Sequence, residues 1–252
     1  MSDYARIGYI NYIDPTTSSI TSASSQVTGF EPEGVLNSLT YERWKPATGV
    51  AGLIINTGVS TAANYIAIGS HTLKGLSLTV SISPDNSSWT PIANGVIIDT
   101  NKALFYTFGS QSARYIKIST FGFTPYTIGV VYAGVYTEMP VDLVDAHNIG
   151  TLSRVTEYKT NTSQNGQWLG RSITKQGLKA QFNWKYIPIS DYKTTIDPFL
   201  KDARENPFFI QWRPTGAPDE VMYCWMKQDP TPRLMNNGNE HVEFSLSVEG
   251  IE

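Results

Sequence analysis

The sequence predicts a mainly β protein in two parts. An antiparallel, jelly-roll β-sandwich spans residues 1–138, and an α+β domain with one principal helix near 190–204 spans residues 139–252. Three observations predict this. Short apolar runs recur between Gly52 and Tyr136, separated by turn residues and without a helical period, which is the pattern of a sandwich or barrel. One stretch, Phe182–Trp212, reads as strand, helix, strand. Between these regions Met139–Asn148 interrupts the pattern with a proline and acids, which marks a domain boundary.

Taken in order, Tyr4, Ile7, Tyr9 and Tyr12 alternate loosely in a first strand or extended arm. Asp14–Ser25, made of small polar residues, reads as an exposed loop, and Ser24–Phe30 as the start of the first core strand. Gly52–Thr57, Tyr65–Ile68, Ser77–Ile82, Leu104–Phe108, Arg114–Ser119 and Ile128–Tyr136 read as strands. Pro84–Trp89 has the Asp-Asn-Ser chemistry of a turn. In the second part, Thr151–Lys159 alternates through Leu152, Val155 and Tyr158, and the polar run Thr160–Gln167 reads as a hairpin tip. Ser172–Ile173 and Leu178–Trp184 lead into the central stretch, and Glu220–Met226 and Val242–Ile251 follow it as strands.

The helix is legible residue by residue. Tyr192, Ile196, Phe199, Leu200 and Ala203 form the apolar stripe of an amphipathic helix. Ser190 is placed to cap its start, with Asp191 favourable to the helix dipole. Pro198 removes a backbone donor, so a kink or restart is expected there with Asp197 as a second cap. Asn206 and Pro207 end it.

Composition narrows the function. A net charge of −3 gives no support for a sequence-independent nucleic-acid binder, and charged residues at 16% suggest neutral polar surfaces suited to sugars or to permanent interfaces. Cys224 is the single cysteine, so no intrachain disulfide forms. No apolar run is long enough for a membrane-spanning helix, and Met1–Asp14 lacks the zones of a signal peptide. Synthesis and folding in a reducing cytoplasm, without membrane insertion, is the expectation.

The run from Asn64 to Ile92, with Arg114–Ser119 and Ile128–Tyr136, resembles the discoidin-type, galactose-binding-like sandwich. The features that carry this are Trp44, the strand ending at Gly58, Ile66 and Ile68, Val80–Ser83 and the turn Asp85–Trp89. Residues 140–252 resemble the tube-type domain of tailed-bacteriophage tails, through IPISDYKTTIDPFLKDARENPFFIQW, EVMYCWM and EFSLSVEGIE. The second resemblance implies a distal tail (baseplate) ring protein, expected as a homohexamer, made in the host cytoplasm and resident in the virion. Its implied partners are copies of itself, the tail tube protein and hub or fibre proteins. A tube subunit with a decoration domain is an alternative, and so is a lectin-like tail-tip adhesin that touches a cell-surface glycan. The hairpin-tip residues Asn161, Thr162, Ser163, Gln164 and Asn165, with the Asp14–Ser25 loop, are the implied inter-subunit contacts.

No catalytic motif appears, and neither an enzyme nor a cofactor is expected. His71, His147 and His241 lack metal-ligand spacing. The carboxylate pairs Glu31/Glu33, Asp219/Glu220 and Glu240/Glu243 sit beside turn residues and read as solvated. Asp85 and Asn86 supply too few oxygens for Ca²⁺ and read as a turn. For sugar binding the candidates are Arg43, Trp44, His71 and Trp89, with Tyr126 and Tyr132 as further rings, because a sugar site combines a ring with a few polar side chains. Arg43 and His71 are expected on one rim.

Overall fold

The computed structural model describes residues 3–144, 154–235 and 240–251. It is mainly β, as the apolar runs predict. In chain order the strands of the first part are β1 (Arg6–Gly8), β2 (Ser19–Ala23), β3 (Ala51–His71), β4 (Ser77–Ser83), β5 (Thr90–Ile97), β6 (Leu104–Phe121), β7 (Ile128–Gly134) and β8 (Thr137–Glu138). The second part contains β9 (Arg154–Thr162), β10 (Trp168–Pro188), β11 (Phe208–Gln211), β12 (Val221–Met226), β13 (Arg233–Leu234) and β14 (His241–Ile251). Between β10 and β11 lies the helical segment, α1 (Ile189–Asp191), a π turn (Tyr192–Ile196) and α2 (Asp197–Asp202).

The sandwich arises because β3 and β6 each pass from one layer to the other. Residues 51–56 of β3 pair with β2 and with residues 115–120 of β6, while residues 65–71 pair with β7 and residues 104–107 of β6. The register shifts at the corner between Asn56 and Thr61. Gly58 turns there with φ at 87°, a conformation that costs glycine nothing. The outer layer runs β2–β3–β6–β4–β5, and β7 pairs β3 in the inner layer. Leu53, Ile55, Ile66, Ile68, Leu78, Val80, Ile116 and Ile118 fill the space between the layers.

The inner layer is also covered on its other face. Period two sends Tyr65 and Ala67 away from Ile66 and Ile68, and they join Phe105, Val130 and Tyr132 in a second core against Phe209, Val221 and Tyr223. Strand β7 is therefore buried at every position.

The second sheet runs β8–β1–β11–β12–β14–β10–β9, with β13 on β14, all antiparallel among the described residues. Phe209 of β11 faces the sandwich, while its neighbours Phe208 and Ile210 face the helix. There they meet Ile196, Phe199, Leu200 and Ala203, the stripe read from the sequence. The molecule is thus a stack of outer sandwich layer, inner sandwich layer, second sheet and helix.

Several expectations change. The arm does not belong to the sandwich alone: β1 pairs with β11 and β8, so residues 6–8 lie in the second sheet. A strand of three residues leaves too faint a pattern to assign it a partner. The first sandwich strand is β2, inside the expected loop and ahead of Ser24–Phe30, because its polar residues sit on an exposed edge. Strand β5 was not expected and pairs β4. Ser190 caps nothing: the segment starts at Ile189 and the Ser190 hydroxyl donates to Asp191. The disturbance expected at Pro198 is the π turn, in which the Asp197 N–H reaches the Tyr192 carbonyl. That places Pro198 in the first turn of α2, where a missing N–H is harmless. Asp197 makes an ion pair with Lys201 and does not cap the helix with its side chain. His147, much of the expected boundary segment and the start of the Thr151–Lys159 run lie outside the described residues.

The junction core makes the two parts interdependent. Phe209 is fully buried and packs against Tyr132 and Tyr223, with ring centroids 5.3 and 4.7 Å away. Phe209→Ala is expected to destabilise the whole chain by about 3–5 kcal/mol in a single cooperative transition. Denaturant unfolding followed by two probes checks this, and two separate transitions, with the sandwich unaffected, would refute it.

Candidate functional site

Three loops meet where β3 ends: residues 38–45 before β3, 72–76 after it, and 98–103 between β5 and β6. They enclose a cavity of about 500 Å³, the size of a small-ligand site. Arg43 and His71 both line it, as the sequence led us to expect.

Trp44 positions the first loop. It is fully buried, its indole N–H donates to the Ser25 carbonyl at 3.0 Å, and its ring meets Tyr126 edge-on at 5.9 Å. Its backbone exchanges two hydrogen bonds with Ile128. The indole therefore closes the sandwich core and offers no face to a ligand. Its neighbour Arg43 points outward, with Nε donating to the Thr40 carbonyl at 2.8 Å. Ser70, held at φ 51°, donates its hydroxyl to the same carbonyl at 3.0 Å.

His71 holds the other two loops. Its Nδ1 accepts the Leu73 N–H at 3.2 Å, so Nε2 carries the proton and donates to the Lys102 carbonyl at 2.7 Å. Burial lowers the imidazole pKa to about 4, because the charged form loses its water. With both nitrogens engaged, His71 shapes the cavity and leaves no ring nitrogen for a ligand.

The remaining polar wall was not foreseen. Thr72, Lys74, Asp99, Thr100, Asn101 and Lys102 complete it, together with Ile251 from the second sheet. In sequence these residues read as ordinary turn chemistry, which gives no signal that separates a wall from a connection. Several of their acceptors are committed: the Thr72, Thr100 and Asn101 oxygens take the backbone N–H groups of Thr127, Lys102 and Lys74.

Trp89 does not share this rim. It follows the turn at the far end of β4, which separates the two ends by roughly 20 Å at ~3.3 Å per residue. There Lys117 lies 5.4 Å from the centre of its ring. In the same turn Asp85 accepts from Ser83, Ser87 and Ser88, and these donors lower its pKa. Both its oxygens serve the turn. Tyr126 and Tyr132 are core residues. Among the described residues no group of three His, Cys, Asp or Glu side chains is placed to hold a metal, and no helix is long and apolar enough to cross a membrane. Glu220 is engaged by Arg213 at 2.8 Å, and Cys224 is buried, which raises its thiol pKa.

A second surface belongs to β9 and β10. Residues 168–177 of β10 have β9 as their strand partner, and β14 joins only from Leu178 onward. The hairpin therefore projects as a two-stranded ribbon of about 30 Å. Its tip holds Asn161, Thr162, Ser163, Gln164 and Asn165, closed by bonds between Ser163, Gly166 and Gln167. Tyr158, Trp168, Leu169 and Ile173 are each more than half exposed on it, Trp168 at 68%.

No family model matches the chain, and neither does any curated protein. Solved structures similar to it include CpGH89CBM32-5 from Clostridium perfringens, in complex with GalNAc-β-1,3-galactose. It is 14% identical, covers 48% of this chain and 98% of its own, and has a TM-score of 0.42. Chitosan-binding module 1 of a Paenibacillus sp. IK-5 chitosanase/glucanase is 21% identical over 49% of this chain and 97% of its own, with a TM-score of 0.42. The family 32 carbohydrate-binding module of C. perfringens NanJ, in complex with galactose, is 17% identical over 52% and 98%, with a TM-score of 0.43. Each likeness covers about half of this chain, and no residue role follows from it.

The state of His71 yields a pH dependence. Its folded pKa of about 4 lies below the unfolded value of 6.5, so the unfolded chain takes up the proton first as pH falls. The neutral ring's contribution is complete above about pH 6.5 and is lost between there and pH 4, amounting to about 3 kcal/mol. The difference in unfolding free energy between wild type and His71→Gln is expected to shrink over that window, and parallel profiles would refute the assignment.

Proposed function

We propose that this chain is a carbohydrate-binding component of a phage tail, an adhesin whose sandwich is held by a β domain that assembles with copies of itself. The loop-lined cavity at the end of the sandwich carries the binding half of this reading. Its wall is made of hydroxyls, an amide and charged side chains, which suits a ligand covered in hydroxyl groups. Asp99 is the one carboxylate among its lining residues, where glycoside hydrolysis uses two, so the proposal is binding without catalysis. The sequence resemblance of the first part to galactose-binding-like sandwiches supports the same reading. A glycan array with the full-length protein is expected to return oligosaccharides whose binding falls about tenfold or more in Arg43→Ala, since a charged hydrogen bond is lost. Full binding in that variant would remove the cavity from the proposal.

A second observation favours a structural role in the tail, as a distal tail ring or a tube subunit. The β9–β10 ribbon presents Tyr158, Trp168, Leu169 and Ile173 to solvent, more apolar surface than a projecting hairpin needs for its own stability. Closed assemblies of identical copies cover such a surface, and a ring results where the contact is head-to-tail and its rotation closes. The resemblance of residues 140–252 to tube-type domains supports the phage context. Wild type is expected to form a ring in negative stain, and deletion of residues 160–166 or the pair Trp168→Ser and Ile173→Ser is expected to shift the mass by light scattering towards monomer. An unchanged oligomer would exclude the ribbon as the contact.

A further inference from the structure

We infer that the cavity takes an anionic saccharide, bearing a uronate carboxylate or a phosphate, and that the second domain is needed to form the site. This deepens the carbohydrate reading above and rests on it. Most hydrogen-bond acceptors around the cavity are already engaged. The imidazole of His71 is engaged at both nitrogens, and the Thr72, Thr100 and Asn101 oxygens accept backbone N–H groups. What remains is richer in donors than in acceptors: the terminal nitrogens of Arg43, the ammonium groups of Lys74 and Lys102 and the Asn101 amide nitrogen, against the Asp99 carboxylate and the Thr40 hydroxyl. No ion pair within the described residues engages any of the three cations. They come from three loops and line the same cavity with a single carboxylate, Asp99.

A neutral sugar presents hydroxyls that both donate and accept, and it is recognised best by mixed partners. A cavity richer in donors, with three cations to one carboxylate, is complemented by an acceptor-only group, which is what a carboxylate or phosphate is. The volume of about 500 Å³ leaves room for the sugar ring as well as its anionic group. The second domain enters in two ways. Ile251 of β14 lines the cavity, and the Tyr223 hydroxyl of β12 donates to the Ser38 carbonyl at 2.8 Å, holding the loop that presents Arg43.

The test is calorimetric titration of the full-length protein with three probes: oligogalacturonate, a glycerol-phosphate teichoic-acid chain and a neutral galacto-oligosaccharide, each at low and high NaCl. One of the two anionic probes is expected to bind about tenfold or more tightly than the neutral one, with the preference fading in salt. Which one binds decides between uronate and phosphate. In the double variant Lys74→Gln, Lys102→Gln, with unchanged circular dichroism and Tm, the ratio of anionic to neutral affinity is expected to fall to about one. Equal binding of all probes by wild type, or preference for the neutral one, would overturn this inference and leave the carbohydrate reading standing. Binding of none would overturn both.

Discussion

The inner sandwich layer is buried on both faces, and the rest of the structure depends on that. One face closes the sandwich core and the other meets the second sheet through Tyr65, Phe105, Val130 and Tyr132 against Phe209, Val221 and Tyr223. A strand with two apolar neighbours has no polar side to show, which is why YIAI and IGVVYAG lack alternation. It also limits side-chain size: a Cβ on Gly69 would sit 3.1 Å from the Phe209 ring. Three tyrosines of this core send their hydroxyls out to backbone carbonyls on three separate segments. Tyr65 reaches Ile10 in the arm, Tyr132 reaches Pro207 before β11, and Tyr223 reaches Ser38 in the cavity loop. Burial raises all three pKa values, Tyr132 to about 12, so these phenols stay protonated donors at any ordinary pH. The apolar contact supplies most of the free energy, and the hydroxyls fix where arm, strand and loop attach.

How much of this the sequence discloses depends on the range of the cause. The sandwich strands and the buried stripe Ile196, Phe199, Leu200 and Ala203 follow from local period and were readable. The π turn before Pro198 could be anticipated as a disturbance but not by type, since the choice between a kink and a wider turn is made by what the helix packs against. The placement of β1 was not readable, because its three residues acquire a partner some two hundred positions away. Ser190 shows the limit of a local rule. A cap residue precedes an amphipathic stripe, yet the first turn is already helical before it.

The site divides in the same way. Arg43 and His71 do converge, but the two tryptophans chosen with them do not. In a sandwich, the indole that closes the core and the indole that stacks on a sugar look alike in sequence. Trp44 is the first kind, and its burial anchors the loop that carries Arg43. His71 likewise acts as a structural latch between two loops. The charged residues that distinguish this cavity, Lys74 and Lys102, sit in segments whose composition is that of any hairpin end. They stand out only when the hydrogen bonds are assigned one by one and the unused donors are found around one cavity.

Cavity and ribbon are joined through hydrogen-bonded strands of one sheet. The cavity wall includes a residue of β14, and β14 pairs along β10, the strand whose other end forms the ribbon. In a ring built through the ribbon, every cavity is therefore held at a fixed orientation to its neighbours. Single sugar contacts in an open cavity of this size are weak, but a rigid array converts the second and later contacts into intramolecular events wherever the glycan spacing fits. Where the spacing does not fit, rigidity prevents simultaneous engagement. Under the proposed reading, the aromatic junction that stabilises the fold would then also set which repeating glycan surface such an assembly can hold, and recognition would be divided between the charge of the cavity wall and the geometry imposed by the core.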